Sequence, residues 1–191
     1  RSGARGPPRG RRRLSRGRSG PVAVGWTPTT EVLERSARTH IAAVFHNMRF
    51  QTTDVELAKP PGAWSHHTDA LLEAALIHLR LLDGFLTTDP AHLTGLPPRD
   101  DVVAGHYTDG RTFDTFLLST PDERDRIDTQ LTHLGARRME HYHWPLEDMA
   151  QRCARRFLDF EAALNPGMRP WFEESLIHAR ALTTREPGHP G

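Results

Sequence analysis

The sequence predicts an all-α protein, a four- to five-helix bundle behind a disordered Arg-rich N-terminal extension. Two observations carry the fold class. From residue 27 onward apolar side chains recur at three- and four-residue steps with no strand-like alternation. Between those stretches Pro and Gly collect at a few points that read as breaks. A third observation sets the boundary: residues 1–20 are Arg, Gly, Pro and Ser almost throughout, with Leu14 the only sizeable apolar side chain, too little to offset the entropy of ordering. About 160 residues can bury roughly two thirds or more of their unfolded surface, so a single domain is expected at 27–185, flanked by tails at 1–26 and 186–191.

Thr27 and Pro28 offer a cap and a first-turn proline for a helix over about 29–49, with Val32, Ala37, Ile41, Val44, Phe45 and Met48 facing inward. Lys59-Pro60-Pro61-Gly62 ends that region. Ser65 can cap a second helix over about 66–87. Its seam is Leu71, Ala75, His78, Leu82 and Phe85, widened by Leu72, Leu76, Leu79 and Leu86. Residues 88–119 contain Asp89-Pro90, Gly95, Pro97-Pro98 and Asp109-Gly110 and read as a long connection with one helical turn at Asp100–Ala104. Connections of that length are usually functional or mobile.

Thr120-Pro121-Asp122-Glu123 combines a cap, a first-position proline and a glutamate three residues on, a strong start for a third helix. That helix turns Ile127, Leu131 and Leu134 inward and ends near Gly135 or a turn later. Pro145 starts a fourth over about 145–164, with Leu146, Met149, Ala150, Cys153, Phe157, Phe160 and Leu164 on one face, stopped by Asn165-Pro166-Gly167. A fifth runs over about 170–184 from Pro170 through Trp171, Phe172, Leu176 and Leu182.

Charge divides the chain in two. Of 25 bases only Lys59 is a lysine, and eight arginines fall in the first twenty residues, where there is no acid. The remaining 17 bases face 24 acids, a formal −7. That excludes a uniformly basic nucleic-acid binder, and no apolar run approaches the roughly 20 residues needed to cross a bilayer. Arg11-Arg12-Arg13 is followed by too short an apolar segment for a twin-arginine signal. The missing initiating Met and Arg/Gly/Pro-rich composition are what GC-rich DNA yields upstream of a start, so residues 1–20 read either as a solvated tail or as non-native sequence. A basic arm for RNA or an anionic surface is the third reading. The single Cys153 excludes an intramolecular disulfide and fits a cytoplasmic setting.

Three groups of residues bear on chemistry. His78 interrupts an apolar seam, where a histidine is either a neutral, hydrogen-bonded core residue or part of a binding site inside the bundle. On the third helix Arg126, Gln130, His133 and Arg137 step by 4, 3 and 4 and share a polar stripe. An Arg with a His on one face can bind a phosphate and move a proton, the minimum for metal-independent cleavage of RNA through its 2′-hydroxyl. Finally, His66-His67 with Asp69 and Glu140-His141-Tyr142-His143 are local histidine clusters, and neither has the spacing of a zinc site. A His-ligated metal-binding bundle is the weakest reading, and no metal or cofactor is expected.

Arg126-x6-His133 resembles the R-x4-6-H signature of HEPN domains, small helical bundles that include RNases of toxin and phage-defence systems. Five pairs in the sequence fit that spacing, and the place on a well-capped helix distinguishes Arg126/His133. Ile127 departs from the polar residue common directly after the arginine. The run Glu73 to Phe85, then Asp100-Asp101-Val102, Leu131-Thr132-His133-Leu134 with Arg137, and Phe157-Leu158-x-Phe160 looks similar to uncharacterised bacterial helical proteins of abortive-infection HEPN-like character. The resemblance covers about residues 30–164. It implies a helical bundle in a defence or RNA-related setting, and no reaction comes with it. The functional reading of the residues themselves is a HEPN-like protein that binds or cuts RNA, with Arg126 anchoring phosphate and His133 as acid/base across a homodimer interface, and Gln130, Arg137 and His78 as binding residues. The alternative is a non-catalytic helical interaction protein in which the stripe and His78 are structural.

Overall fold

A computed structural model describes residues 26–57, 66–94, 100–118, 123–132 and 144–184. Among them the chain is all-α, with no strand, and the helices form one bundle around a common core. Helix α1 is a continuous run of three stretches, Thr30–Arg35, the π-helical Ser36–Ile41 and Ala42–Leu57. Then come α2 (His66–Thr87), α3 (Glu123–Thr132), α4 (Leu146–Ala163) and α5 (Glu173–Thr183), the last entered through a 3-10 turn at Arg169–Phe172. Helix α1 packs against α2, α4 and α5, α4 also contacts α2 and α5, and α3 packs on α2.

The predicted α2, α4 and α5 agree with the structure to within a few residues. All seven inward positions expected of α4 are buried. Helix α1 differs in three respects. Its cap is Thr29, whose hydroxyl accepts from the Val32 amide at 3.3 Å, rather than Thr27, and it continues to Leu57. Leu33 is buried in place of Val32, which is 39% exposed. The buried series Leu33, Ala37, Ile41, Phe45 advances by fours, and on an α-helix each such step drifts about 40° around the axis. The wider winding of the π-helical stretch takes up that drift and holds the four side chains over one core.

The connection after α2 is part of the core. Val103, Ala104, Tyr107, Phe113, Phe116 and Leu117 are all buried, and the turn expected at Asp100–Ala104 forms instead at Pro90–Thr94 and Ala104–Tyr107. Tyr107 is its anchor. The hydroxyl donates to the Leu33 carbonyl of α1 at 2.9 Å, the Tyr107 carbonyl accepts from the Asn165 amide at 3.0 Å, and the ring meets Phe172 edge-on at 4.9 Å. Burial holds the phenol pKa far above its ordinary value, so it remains a donor. The turn fits closely against Pro90: a β-carbon on Gly105 would lie 2.5 Å from the proline Cγ. Asp109 and Gly110 follow with positive φ of 53° and 85°, and the Gly110 amide closes back on the Gly105 carbonyl at 2.8 Å.

Helix α3 is docked by charge. Ile127 is its one buried apolar side chain among those described. The expected start at Thr120-Pro121-Asp122 lies outside the described residues, and Glu123 is buried. Its carboxylate takes the Arg152 guanidinium of α4 at 2.8 and 3.1 Å and the Leu118 amide at 2.8 Å. Arg152 also bonds the Phe116 carbonyl and reaches Asp148 at 2.9 Å. Burial opposes the Arg152 charge, but the bonds and charges of Glu123 and Asp148 outweigh it and raise its pKa. On the other side Arg80 of α2 holds Asp128 at 2.8 Å, and Arg124 lies 3.4 Å from the buried Asp83. Asp83 binds the connection through the Thr115 hydroxyl at 2.5 Å and the Phe116 amide at 3.3 Å, while its other oxygen makes no hydrogen bond.

Arg152→Ala leaves Glu123 charged and buried without its partner. It is expected to cost about 3–5 kcal/mol in urea unfolding, against no more than about 1 kcal/mol for Arg38→Ala, which breaks an exposed pair. Gly105→Ala is expected to cost about 1–3 kcal/mol by the same measurement, because the added methyl meets a proline ring and backbone that cannot both retreat.

Candidate functional site

Of the residues nominated from sequence, the two whose side chains are described, Arg126 and His78, lie on different fronts of the bundle. Arg126 is half-buried on α3. Gln130 lies on the same helix with its side chain beyond those described, and His133 and Arg137 lie outside the described residues. Successive residues on an α-helix are about 100° apart, so Arg126 shares the edge of Glu123, which faces α4, and points about 160° away from Asp128, which faces α2. His78 is on a third front. Its Nδ1 lies 2.8 Å from Oε1 of Gln51, joining α2 to α1, while Arg80 two residues on reaches across to α3. Burial lowers the His78 pKa. The ring is therefore a neutral donor that satisfies Gln51 at the edge of the apolar seam.

Side chains from α1 and α5 do converge. His46, Arg49 and Phe50 occupy one outer edge of α1, at spacings of three and four. His178 of α5 comes up against them. Its ring meets that of His46 edge-on at 5.1 Å, and its Nδ1 lies 3.4 Å from an Arg49 Nη1. The His46 ring is 4.7 Å from that of Phe50, which is 50% exposed. Arginine only donates, so the 3.4 Å contact makes His178 Nδ1 an acceptor and puts the neutral ring's proton on Nε2. Burial, then the neighbouring His46 and Arg49, lower the His178 pKa, partly countered by Glu174 one turn earlier.

The packing beneath explains why the cluster forms. Phe45 and Met48 point inward from the same turns of α1, Leu176 and Ala179 from α5, and all four are buried. The positions next to these core residues must then emerge side by side on the surface. Sequence reasoning missed the cluster because its halves are far apart in the chain. The signal available was His46-x2-Arg49-Phe50 on one helical edge and Glu174-x3-His178 on another, and nothing local says that these edges touch.

Chemically this is a cationic anchor beside two imidazoles, one of them biased toward its neutral form. An Arg is suited to a phosphate, and a pair of histidines can take one proton and give another. Among the described residues no group of three or more His, Cys, Asp or Glu is arranged to hold a metal ion. A hollow of about 420 Å³ between α2, α3 and residues 101–103 has its arginine, Arg80, already engaged by Asp128. Cys153 is fully buried, and burial, then the charge of Asp83, raise its pKa well above the ordinary value, so it is no nucleophile.

No family model, curated protein or solved structure matches the chain. Function therefore has to be argued from these side chains.

The partly buried histidines also set a pH dependence. Burial lowers the pKa values of His78, His106 and His178 from 6.5. As pH falls below that value the unfolded chain binds protons that the native state refuses, so stability is full above about pH 6.5 and declines below it. Urea midpoints should therefore drop between about pH 7 and about pH 5.5, and His78→Gln should flatten that slope. A midpoint constant across this window would contradict the assignment.

Proposed function

We propose that the chain is a helical RNA-binding protein able to cleave RNA without metal, and that the α1–α5 cluster is its acid–base site. The observation that carries this reading is the approach of His46, Arg49 and His178 from two helices beside an exposed Phe50. Arg49 anchors the phosphate. A phosphate that engages Arg49 draws it away from His178 Nδ1 and frees the lone pair there. His178 then takes the proton of the ribose 2′-hydroxyl, whose oxygen attacks phosphorus. The P–O5′ bond breaks, and the leaving oxygen takes a proton from His46 in its imidazolium form. The products are a 2′,3′-cyclic phosphate and a free 5′-hydroxyl. Phe50 offers an aromatic face to an unstacked base.

The HEPN-like reading has the same chemistry at Arg126 and His133, at a homodimer interface. The non-catalytic interaction reading draws support from the pairing of the α2–α3 charges with one another and from the acidic balance of residues 21–191.

One assay separates the three. Single-stranded RNA is incubated with the wild-type chain in excess chelator, and the ends formed are identified. His178→Ala and His46→Ala should each reduce cleavage about 10²- to 10⁴-fold, with His133→Ala near wild type. Loss in His133→Ala alone moves the site to α3. No cleavage by the wild type leaves the non-catalytic reading.

A further inference from the structure

The hollow at the start of α5 has a chemistry of its own, independent of the RNA reading. It encloses about 260 Å³ between Arg38, Pro170, Trp171, Glu173, Glu174 and Ile177. Trp171 is partly buried against the core and lines the hollow, with Pro170 and the exposed Ile177 beside it. Arg38 is already held by Glu34 on its own helix at 2.7 Å. The carboxylates of Glu173 and Glu174 are exposed, and among the described residues no hydrogen bond or ion pair holds either. The contrast with the next hollow is informative. There Glu161 is engaged by Arg169 and Arg180, each at 2.5 Å, so the carboxylate and both guanidiniums are committed to one another.

An indole face beside two acceptor-only carboxylates suits a planar cation. A guanidinium can stack on the ring and fork to a carboxylate through parallel N–H donors, which a lysine ammonium cannot do. A phosphate or carboxylate would meet two like charges. The wider field agrees, since residues 21–191 carry 17 bases against 24 acids. We propose that this hollow binds the arginine side chain of a basic partner peptide, stacked on Trp171 and bonded to Glu173 and Glu174.

The test is a titration of the full chain followed by tryptophan indole N–H resonances, with the Trp171 signal assigned by its disappearance in Trp171→Leu. N-acetyl-arginine amide should shift that signal saturably. N-acetyl-lysine amide should bind about tenfold more weakly, and the uncharged isostere N-acetyl-citrulline amide should leave it unmoved. Glu173→Gln combined with Glu174→Gln, with its fold checked by circular dichroism, should weaken arginine binding about tenfold. The proposal is overturned if the Trp171 signal does not respond to arginine, if citrulline shifts it equally, or if the folded double variant binds arginine as the wild type does.

Discussion

The docking of α3, and of the connection that leads to it, depends on one charge pair, Arg152 with the buried Glu123. Among its described side chains α3 buries one apolar group, Ile127, and one carboxylate, Glu123. Desolvating two ions is costly, and their attraction repays that cost only when the geometry is good and the remaining donors and acceptors are met. Here they are: Glu123 also accepts from Leu118, and Arg152 spends its other donors on Phe116 and Asp148. The same bonds pin residues 116–118 to α4. One pair thereby fixes both a helix and the connection leading to it, which an apolar contact of equal area would do without specifying register.

Tyr107 does the corresponding work on the opposite side. Its ring sits among Phe85, Phe160 and Phe172, and its polar atoms reach α1 and the end of α4. The hydroxyl meets Leu33 just ahead of the π-helical stretch, so the irregular winding of α1 and the buried tyrosine belong to one solution. A buried phenol needs an acceptor. The turn of α1 that places Leu33 in the core also presents a carbonyl to supply it.

These features show what was legible in the sequence. Helices α2, α4 and α5 could be read because their inward residues follow the three- and four-residue spacing that packing imposes on any amphipathic helix. In α1, Val32 and Leu33 are equally apolar, and only the wider turn decides between them. The buried connection was hidden for another reason: Tyr107, Phe113, Phe116 and Leu117 have no helical period, and Pro and Gly around them look like loop signals. Asp83 and Glu123 were unreadable as buried groups because Thr115 and Phe116, which bind the first, and Arg152, which pairs with the second, lie tens of residues away in the chain. The candidate site follows the same rule. Arg126 and His133 were visible because they stand seven residues apart in one stretch of sequence, whereas His46 and His178 are joined only by the packing of α1 on α5.

That difference bears on which location is better suited to chemistry. Acid–base catalysis needs donors and acceptors held in place before the substrate arrives, and groups on elements locked by packing meet that need best. His46 and Arg49 rise from turns whose inner face carries Phe45 and Met48, and Phe45 packs on Phe157 with ring centroids 4.3 Å apart. His178 rises from a helix whose Leu176, Ala179 and Leu182 are buried in the same core. Arg126, by contrast, stands on α3, whose position follows from ion pairs at its start and flank. Any change that weakens Arg152–Glu123 or Arg80–Asp128 moves Arg126 with the whole helix but leaves the α1–α5 cluster on its aromatic support. A catalytic role for Arg126 thus requires the polar docking of α3 to be as rigid as a core contact, whereas the cluster on α1 and α5 has that rigidity from the packing beneath it.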